Sequence, residues 1–244
     1  MTSIAIYNNK GGCGKSTSVI NLAYHFSLDS KVLVIDTDGQ SNTSRFFLDE
    51  PKSGLEKVLL GESDTIRGEK TRYPNLDIIS ATAAINDVAG TFSSFSEKRQ
   101  TEITEGIINS NSNYDYIFVD FPPTMNDVTR QMIGACDYVF VPVELGIFAI
   151  QGIPKVTDVI SKSKVRFGGA FVNKFDKRNS ADIELFEMFS GQLGGKALNT
   201  TIPYSKVIKN SITYTLTAKE YMGWNSAGKA FGVLADEIRE RIGG

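Results

Sequence analysis

The sequence has few of the residues on which metal centres and disulfide frameworks depend. Its 244 residues include one histidine, His25, and two cysteines, Cys13 and Cys136. So few cysteines indicate reduced thiols in a cytoplasmic protein and argue against the disulfide framework of a small secreted domain. The sequence also has no His/Cys cluster, which excludes a metal site built from nitrogen and sulfur ligands. We interpret His25, which lies in the first predicted helix, as structural.

Long apolar runs and a strong net charge are also missing. No stretch approaches the roughly 20 apolar residues of a membrane-spanning helix. Because 26 basic residues face 28 acidic ones, the formal net charge is −2, and no global basic field would attract nucleic acid. Any DNA contact would therefore come from a local patch. The first predicted strand begins almost at the N-terminus, so we expect neither a signal peptide nor an N-terminal DNA-reading domain.

The sequence does contain enough apolar residues, 41% of the chain, to fill the core of an α/β domain. Short apolar runs predict strands at 4–7, 31–36, 76–80, 116–120, 138–143, 165–172 and 197–202. Helical spacing predicts helices after residue 17 and at 54–60, 81–88, 97–110, 147–160, 183–193 and 225–242, with a linker at 91–96. Alternation of the two predicts one domain over residues 1–244, with a doubly wound, mostly parallel sheet and helices on both faces.

A glycine-rich loop lies between the first predicted strand and helix. Residues 9–17 read Asn-Lys-Gly-Gly-Cys-Gly-Lys-Ser-Thr. Glycines let successive backbone N–H groups converge on a phosphate, and the helix N-terminus adds its positive dipole end. A lysine and a hydroxyl at the end of such a loop contact the outer phosphates and Mg²⁺, roles that fall here to Lys15 and Ser16. The loop therefore predicts a site for a nucleoside triphosphate with Mg²⁺.

The loop departs from the common pattern, because Asn9 replaces its first glycine and Lys10 follows. The stretch Lys10-Gly11-Gly12-Cys13-Gly14-Lys15-Ser16-Thr17 resembles the deviant Walker A motif of the ParA/MinD family. In that family the early lysine reaches across a dimer interface to the partner's nucleotide. The resemblance implies that ATP contacts all of these residues, and that Lys10 and Lys15 both stabilise the transferring phosphoryl group.

The second predicted strand ends in an acidic segment, Asp36-Thr37-Asp38-Gly39-Gln40-Ser41-Asn42. It is similar to the D-x-D-P-Q-G-N segment of the same family, with Gly39 and Ser41 in place of proline and glycine. The resemblance implies that Asp36 supports the Mg²⁺ shell together with Ser16, and that Asp38 positions the attacking water. From the residues alone, the two acids could equally cap the following helix.

A second apolar run that ends in a carboxylate is Tyr116-Ile117-Phe118-Val119-Asp120, which predicts a Walker B strand whose Asp120 holds Mg²⁺ through water. The following Phe121-Pro122-Pro123-Thr124 resembles the family's switch that senses the γ-phosphate. The alternative for Asp120 is a helix cap. By resemblance, Asn173 at the end of a strand and Pro203 in the following loop lie near adenine. Asn173 could instead be a turn former.

The resemblance covers nearly the whole chain and implies a ParA-like partition ATPase. Such a protein forms a homodimer with ATP and binds DNA nonspecifically on the nucleoid in the cytoplasm. It hydrolyses ATP when a ParB-like centromere-binding or adaptor protein stimulates it. The expected DNA contacts are Lys206 and Lys209, and less surely Lys174, Lys177 and Arg178. Isolated basic residues of this kind are otherwise solvated loop ends.

Two other functions are compatible with parts of the pattern. A MinD-like membrane positioner would carry a basic amphipathic tail after its last helix, whereas the charges at 236–241 are mixed. A metabolic or redox relative would differ from this sequence in its cysteines or in its phosphate loop. A nitrogenase-like iron protein uses two cluster cysteines per subunit, whereas only Cys136 lies outside the phosphate loop here. A dethiobiotin-synthetase-like ligase lacks the lysine found here as Lys10. We therefore expect no membrane partner, and we place Trp224 in the core or in an interface.

Overall fold

The computed structural model describes residues 1–52, 54–146 and 158–243, which form a layered α/β structure. Its sheet has seven strands in the order β3-β4-β2-β5-β1-β6-β7. The strands are β1 (Thr2–Ile6), β2 (Val32–Asp36), β3 (Glu69–Lys70), β4 (Leu76–Ile79), β5 (Tyr116–Asp120), β6 (Tyr138–Glu144) and β7 (Arg166–Asn173). All pairings are parallel except that between β3 and β4. The predicted doubly wound, mostly parallel sheet is confirmed.

Helices cover both faces of the sheet. They are α1 (Lys15–Ser27), α2 (Asn42–Phe47), α3 (Leu55–Leu59), α4 (Ile85–Ser94), α5 (Glu97–Asn109), α6 (Asp127–Ala135), α7 (Ser180–Leu193), α8 (Lys206–Thr213), α9 (Ala218–Met222) and α10 (Ser226–Gly243). A short 3-10 helix, Gly194–Lys196, follows α7. The helix predicted at 147–160 lies outside the described residues except for its last three, which are helical.

The side-chain alternation of the central strands builds two separate cores. In β1, Ala5 packs into one core together with residues of α3 to α6, because successive side chains point to opposite faces. Its neighbours Ile4 and Ile6 pack into the other core with residues of α1 and α10. Strands buried on both faces read as continuous apolar runs, which is why the sequence predicts them well.

One predicted strand is wrong. Residues 197–202 form no strand. They contact β7 through an isolated bridge between Ala170 and Ala197 and through N–H groups of Leu198 and Ile202 that donate to β7 carbonyls, and the seventh strand is the antiparallel edge strand β3. The carboxylate of Glu237 explains the interruption, because it accepts the backbone N–H groups of Asn199 and Thr200 at 2.7 and 2.8 Å. The Thr200 N–H, two residues after the Leu198 N–H that donates to Ala170, is then unavailable to continue the ladder, and the N–H of Ile202 donates to the Val172 carbonyl instead.

The linker predicted at 91–96 is also wrong, and the preceding helix begins later than the predicted residue 81. Helix α4 runs through the segment, because Ile85, Val88 and Phe92 lie on one helical face and are buried together. It ends at Phe95, whose backbone is extended, and Ser96 then caps α5 by accepting the N–H of Arg99. The sequence analysis interpreted the Ser/Phe-rich segment as a linker and overlooked this apolar spacing of three and four residues. The sequence analysis expected a helix after Asp38 and another after Pro123 but gave no bounds for them, which are α2 and α6, and it missed α8 and α9.

Two aromatic residues stand out at the surface and in the core. Trp224 is 75% exposed, so it does not lie in the core, and its place in an interface stays a prediction. His25 is buried between α1 and α10, where Gly232 leaves room for its ring, and its Nε2 has no hydrogen-bond partner among the described residues. Burial lowers the pKa of His25 to about 4, with Lys219 and Arg239 acting in the same direction and Asp236 against it.

No described helix combines the length and apolar character needed to cross a membrane.

The lowered pKa of His25 predicts an acid-sensitive contribution to stability. Between the ordinary value of 6.5 and about 4, the unfolded chain binds a proton at His25 that the folded chain does not. Stability is therefore lost as the pH falls through this window, by about 2 kcal/mol at about pH 5. Urea unfolding of wild type and His25→Gln at several pH values measures this, because other groups such as Asp36 cancel in the difference. Parallel pH profiles for the two proteins would contradict the assignment.

Candidate nucleotide-binding site

The phosphate loop lies at the carboxyl end of β1, directly before α1. The side chain of Asn8, 3% exposed, ties it to the sheet: Nδ2 donates to the Pro142 carbonyl at 2.8 Å, and Oδ1 accepts from the backbone N–H of Lys10 at 3.0 Å. The sequence analysis did not single out Asn8. The sequence feature that could have identified Asn8 is its position, as a polar residue directly after a buried strand and before the glycines.

Two glycines of the loop have left-handed backbones that only glycine adopts without strain, Gly12 at φ 75° and Gly14 at φ 91°. A Cβ atom at Gly14 would lie 2.0 Å from Nδ2 of Asn173. That amide is held in place, because it donates to the Cys13 carbonyl at 2.9 Å. The structure therefore brings the predicted Asn173, at the end of β7, into direct contact with the phosphate loop.

We expect Gly14→Ala to lower stability by about 1–2 kcal/mol, because alanine in a left-handed backbone is strained and its methyl group displaces Asn173. Nucleotide affinity should fall with it. Gly11→Ala is the matched control in the same loop, since a Cβ there meets nothing within 4 Å. Thermal unfolding without nucleotide separates the two variants. Equal melting temperatures for them would contradict the prediction.

The two lysines of the loop are placed differently. Lys15 is 7% exposed, and its Nζ donates to the backbone carbonyl of Lys10 at 3.2 Å, so its ammonium lies within the loop. The side chain of Lys10 is exposed. One cation is thus positioned for a phosphate bound in this loop, while the other faces outward. Cys13 between them is buried, and burial raises the pKa of its thiol.

The two strand-terminal carboxylates meet as predicted. Asp36 and Asp120 are paired residues of β2 and β5, and both side chains are fully buried. Asp36 accepts hydrogen bonds from the backbone and hydroxyl of Ser44 at 2.9 and 2.6 Å, and Asp120 accepts one from the Thr43 hydroxyl at 2.6 Å. Both partners belong to α2, the helix that the sequence analysis expected after the acidic segment without giving its bounds.

Burial raises the pKa of both carboxyl groups, and the negative charge of Asp36 raises that of Asp120 further. Hydrogen bonds oppose the shift, including one from Ser16 to Asp120. A cation beside these groups would favour their ionised forms. The oxygen ligands available, two carboxylates and the Ser16 hydroxyl, suit Mg²⁺. Among the described residues no group of three or more His, Cys, Asp or Glu side chains could hold a metal alone, so the ion would depend on ligand phosphates.

The structure separates the roles of the two acids at the end of β2. Asp36 accepts the first-turn N–H of Ser44 and so caps α2, as one reading of the sequence predicts. Asp38 does not, since its Oδ1 accepts only the backbone N–H of Gln40 at 2.9 Å, and its side chain is half-buried. The helix cap suggested for Asp120 is wrong, because Asn126 caps α6.

The two departures from the family segment differ in how well they suit the backbone. Ser41 has φ 56°, a left-handed conformation in which glycine would be unstrained. A Cβ atom at Gly39 would lie 2.4 Å from Nδ2 of Asn86, which leaves no room there for a proline ring. The segment therefore retains the turn that the motif requires with different residues.

A cavity of about 450 Å³ adjoins the phosphate loop. It is lined by Thr17, Asn173, Pro203, Tyr204, Ile208 and Lys209, among others. The predicted base-side residues Asn173 and Pro203 thus lie together, and Pro203 is held beside the end of β7 by a bridge to Phe175. The sequence analysis missed Tyr204 and Ile208. The placement of Lys209 here is unexpected, because it was predicted to contact DNA.

The remaining predicted basic contacts differ in their availability. Lys174 pairs with Glu144 at 2.9 Å, and Arg178 pairs with Asp176 at 2.9 Å. Lys206 is exposed at the start of α8 and has no ion pair within the described part of the chain. Lys177 is likewise exposed and without an ion pair among the described residues, so Lys177 and Lys206 are the predicted contacts that offer a free positive charge outside the nucleotide cavity.

The strand, loop and helix, with two carboxylates beside the loop, define a P-loop nucleotide-hydrolysing enzyme. A family model described as an AAA domain matches residues 1–171, so the chain belongs to that family. With the relatives below, this places it in the ParA/MinD group of P-loop ATPases, as the loop motif predicts, and makes it an ATPase.

Two curated relatives span nearly the full length. The chain is 28% identical to the chromosome partitioning protein ParA of Caulobacter vibrioides, over 98% of this chain and 94% of the relative. It is 25% identical to the chromosome-partitioning ATPase Soj of Treponema pallidum, over 99% and 98%. Among solved structures, an ATP complex of an McdA variant from Cyanothece matches with a TM-score of 0.82 at 18% identity, over 100% and 96%, which shows the shared fold.

Proposed function

We propose that this chain is a ParA-like positioning ATPase that dimerises on ATP, binds DNA nonspecifically and hydrolyses ATP when a partner protein stimulates it. One observation carries the proposal: Lys15 already supplies the loop with a buried ammonium, while Lys10, beside it, is exposed. A second lysine that faces outward serves a second molecule better than its own loop. The names of its full-length relatives, a chromosome partitioning protein and a chromosome-partitioning ATPase, support the partition role.

The residues of the site divide the work of hydrolysis. The backbone N–H groups of residues 11–17 and the Lys15 ammonium would bind the phosphates of ATP, and Asn173 and Pro203 would border its base. Asp36, Asp120 and Ser16 would hold Mg²⁺, which neutralises charge on the phosphates when bound. Asp38, whose carboxylate is not committed to capping α2, would orient the attacking water.

DNA binding rests on charge. Because the net charge is −2, a DNA surface must be local, and the exposed Lys206 on α8 lies close to the nucleotide cavity. Phosphate contacts of this kind ignore sequence and weaken steeply with salt. The partner that stimulates hydrolysis would be a ParB-like centromere-binding or adaptor protein, and the cargo could be a plasmid, a chromosome or a protein complex.

A gel shift on nonspecific duplex DNA with ATP, with ADP and without nucleotide tests the proposal. We expect the DNA to shift only in the sample with ATP, because only the ATP dimer presents a complete DNA-binding surface. Pelleting with liposomes of anionic lipid, run in parallel, tests the MinD-like alternative. Liposome binding without DNA binding would replace the proposed function by a membrane role.

Lys206→Glu should weaken DNA binding by about tenfold or more at low salt, because it replaces a phosphate contact with a repulsion. ATP binding and ATP-dependent dimerisation should be unchanged. Lys209→Glu is an instructive comparison, since Lys209 lines the nucleotide cavity and should alter ATP affinity as well. Fluorescence anisotropy with labelled duplex and labelled ATP measures both. Unchanged DNA affinity in Lys206→Glu would remove this position from the DNA surface.

A further inference from the structure

A second cavity, of about 610 Å³, lies at the edge of the sheet opposite to the nucleotide site. It is formed where strands β2, β4 and β5 begin, whereas Asp36 and Asp120 lie where β2 and β5 end. Five residues of strand at about 3.3 Å each put some 16 Å between the two edges. The cavity is therefore separate from the phosphate loop and from every residue assigned to ATP.

The wall of this cavity contains a buried carboxylate with a free oxygen. Asp77 is 4% exposed, and its Oδ2 accepts hydrogen bonds from the Tyr114 hydroxyl at 2.6 Å and from Nζ of Lys70 at 2.9 Å. Its Oδ1 is buried and has no hydrogen-bond partner among the described residues. A buried oxygen of this kind is costly unless a donor satisfies it. Asp77 thus has an unused acceptor for a hydroxyl or amine.

The rim of the cavity carries the opposite charge. Lys31 and Arg67 also line it, and within the described residues neither side chain takes part in an ion pair. With Lys70, which pairs with Asp77, three cations and one carboxylate line the same cavity. Gly68 lets the chain pass close to this group, since a Cβ there would lie 2.9 Å from Cβ of Asp77 and 3.2 Å from the Tyr114 hydroxyl.

The Asp77 oxygen and the cations of the rim require different groups on one ligand, a hydrogen-bond donor and an anion. Inorganic phosphate would satisfy the cations, but donating its P–OH group to Oδ1 of Asp77 would place its own negative charge directly beside that carboxylate. A neutral polyol would satisfy Asp77 and leave the cations unused. We propose that the cavity binds a small phosphorylated polyol of the sugar phosphate class, with its phosphate at Lys31 and Arg67 and a hydroxyl on Asp77.

Calorimetric titration of the full chain with ribose 5-phosphate tests this proposal, with Mg–ADP in excess so that the phosphate loop is occupied. We expect saturable binding of one molecule per chain, at least about tenfold tighter than binding of ribose or of inorganic phosphate. Arg67→Gln and Lys31→Gln should each weaken it about tenfold. Lys98→Gln, an exposed lysine on α5 outside this cavity, should leave it unchanged.

Asp77→Asn separates the two halves of the site. The variant should reduce the preference for ribose 5-phosphate over inorganic phosphate to less than about threefold, because its neutral amide is a weaker acceptor and repels the anion less. Absence of saturable binding in the wild-type chain overturns the proposal. Equal affinity in Arg67→Gln, or loss of binding in Lys15→Ala, overturns it as well, because the ligand then binds elsewhere. If Asp77→Asn does not fold, the surface variants Arg67→Gln and Lys31→Gln still decide the question.

Discussion

Asp38→Ala is expected to bind ATP with nearly wild-type affinity and to lose at least about 100-fold of its hydrolysis rate, the usual effect of removing a group that positions the attacking water. The structure indicates that this change is local. The backbone N–H of Asp38 donates to Asp36 at 3.0 Å and would still do so in alanine. The side chain contributes one hydrogen bond, to the N–H of Gln40.

Steady-state phosphate release measures the hydrolysis rate, and binding of a fluorescent ATP analogue to the protein measures nucleotide affinity separately. Asp64→Ala, an exposed acid outside the nucleotide site, is the control for loss of a surface charge. Asp36→Ala should behave differently from Asp38→Ala, because it also removes the cap of α2 and the hydrogen bonds to Ser44. Wild-type turnover in Asp38→Ala would show that another group positions the water.

Lys10→Ala is expected to bind ATP yet remain monomeric, and to lose DNA binding and partner-stimulated hydrolysis together. The substitution isolates the side chain unusually well. Both hydrogen bonds that Lys10 makes in the loop use its backbone, the N–H to Asn8 and the carbonyl to Nζ of Lys15. The loop should therefore keep its conformation, while the outward charge that would reach a second nucleotide is gone.

The γ-phosphate explains why this lysine would make dimerisation depend on ATP. Two facing phosphate loops bring like charges together, and a cation from the opposite subunit offsets this most when the extra phosphate is present. Dimerisation would then report the nucleotide state, because ATP would bind the dimer better than the monomer and shift the population.

Light scattering with ATP decides the matter in the Asp38→Ala background, where hydrolysis cannot deplete the dimer. We expect a dimer for Asp38→Ala and a monomer for the double variant with Lys10→Ala. Lys10→Arg is the matched control, because it retains the positive charge and should restore part of the dimer. A stable ATP dimer of the Lys10→Ala, Asp38→Ala variant would contradict the role across the interface.

The sequence alone determined the class of the fold and the position of the phosphate site. Buried parallel strands must be apolar on both faces, so β2 and β5 appear as short apolar runs that end in Asp36 and Asp120. The phosphate loop is equally predictable, because its glycines, Lys15 and Ser16 are neighbours in the sequence and form the site without distant residues. The family pattern then indicated an ATPase, which the comparisons confirm.

Only the tertiary structure decided which polar groups meet across long sequence separations. The side chain of Asn8 donates to the Pro142 carbonyl, and Glu237 accepts the Thr200 N–H that would have continued a strand at 197–202. Lys209 reaches the nucleotide cavity because α8 packs beside the end of β7, and the cavity around Asp77 is assembled from four separate chain segments. Periodicity and short motifs report neighbours within one helix or strand, whereas these contacts depend on how elements far apart in the chain pack together.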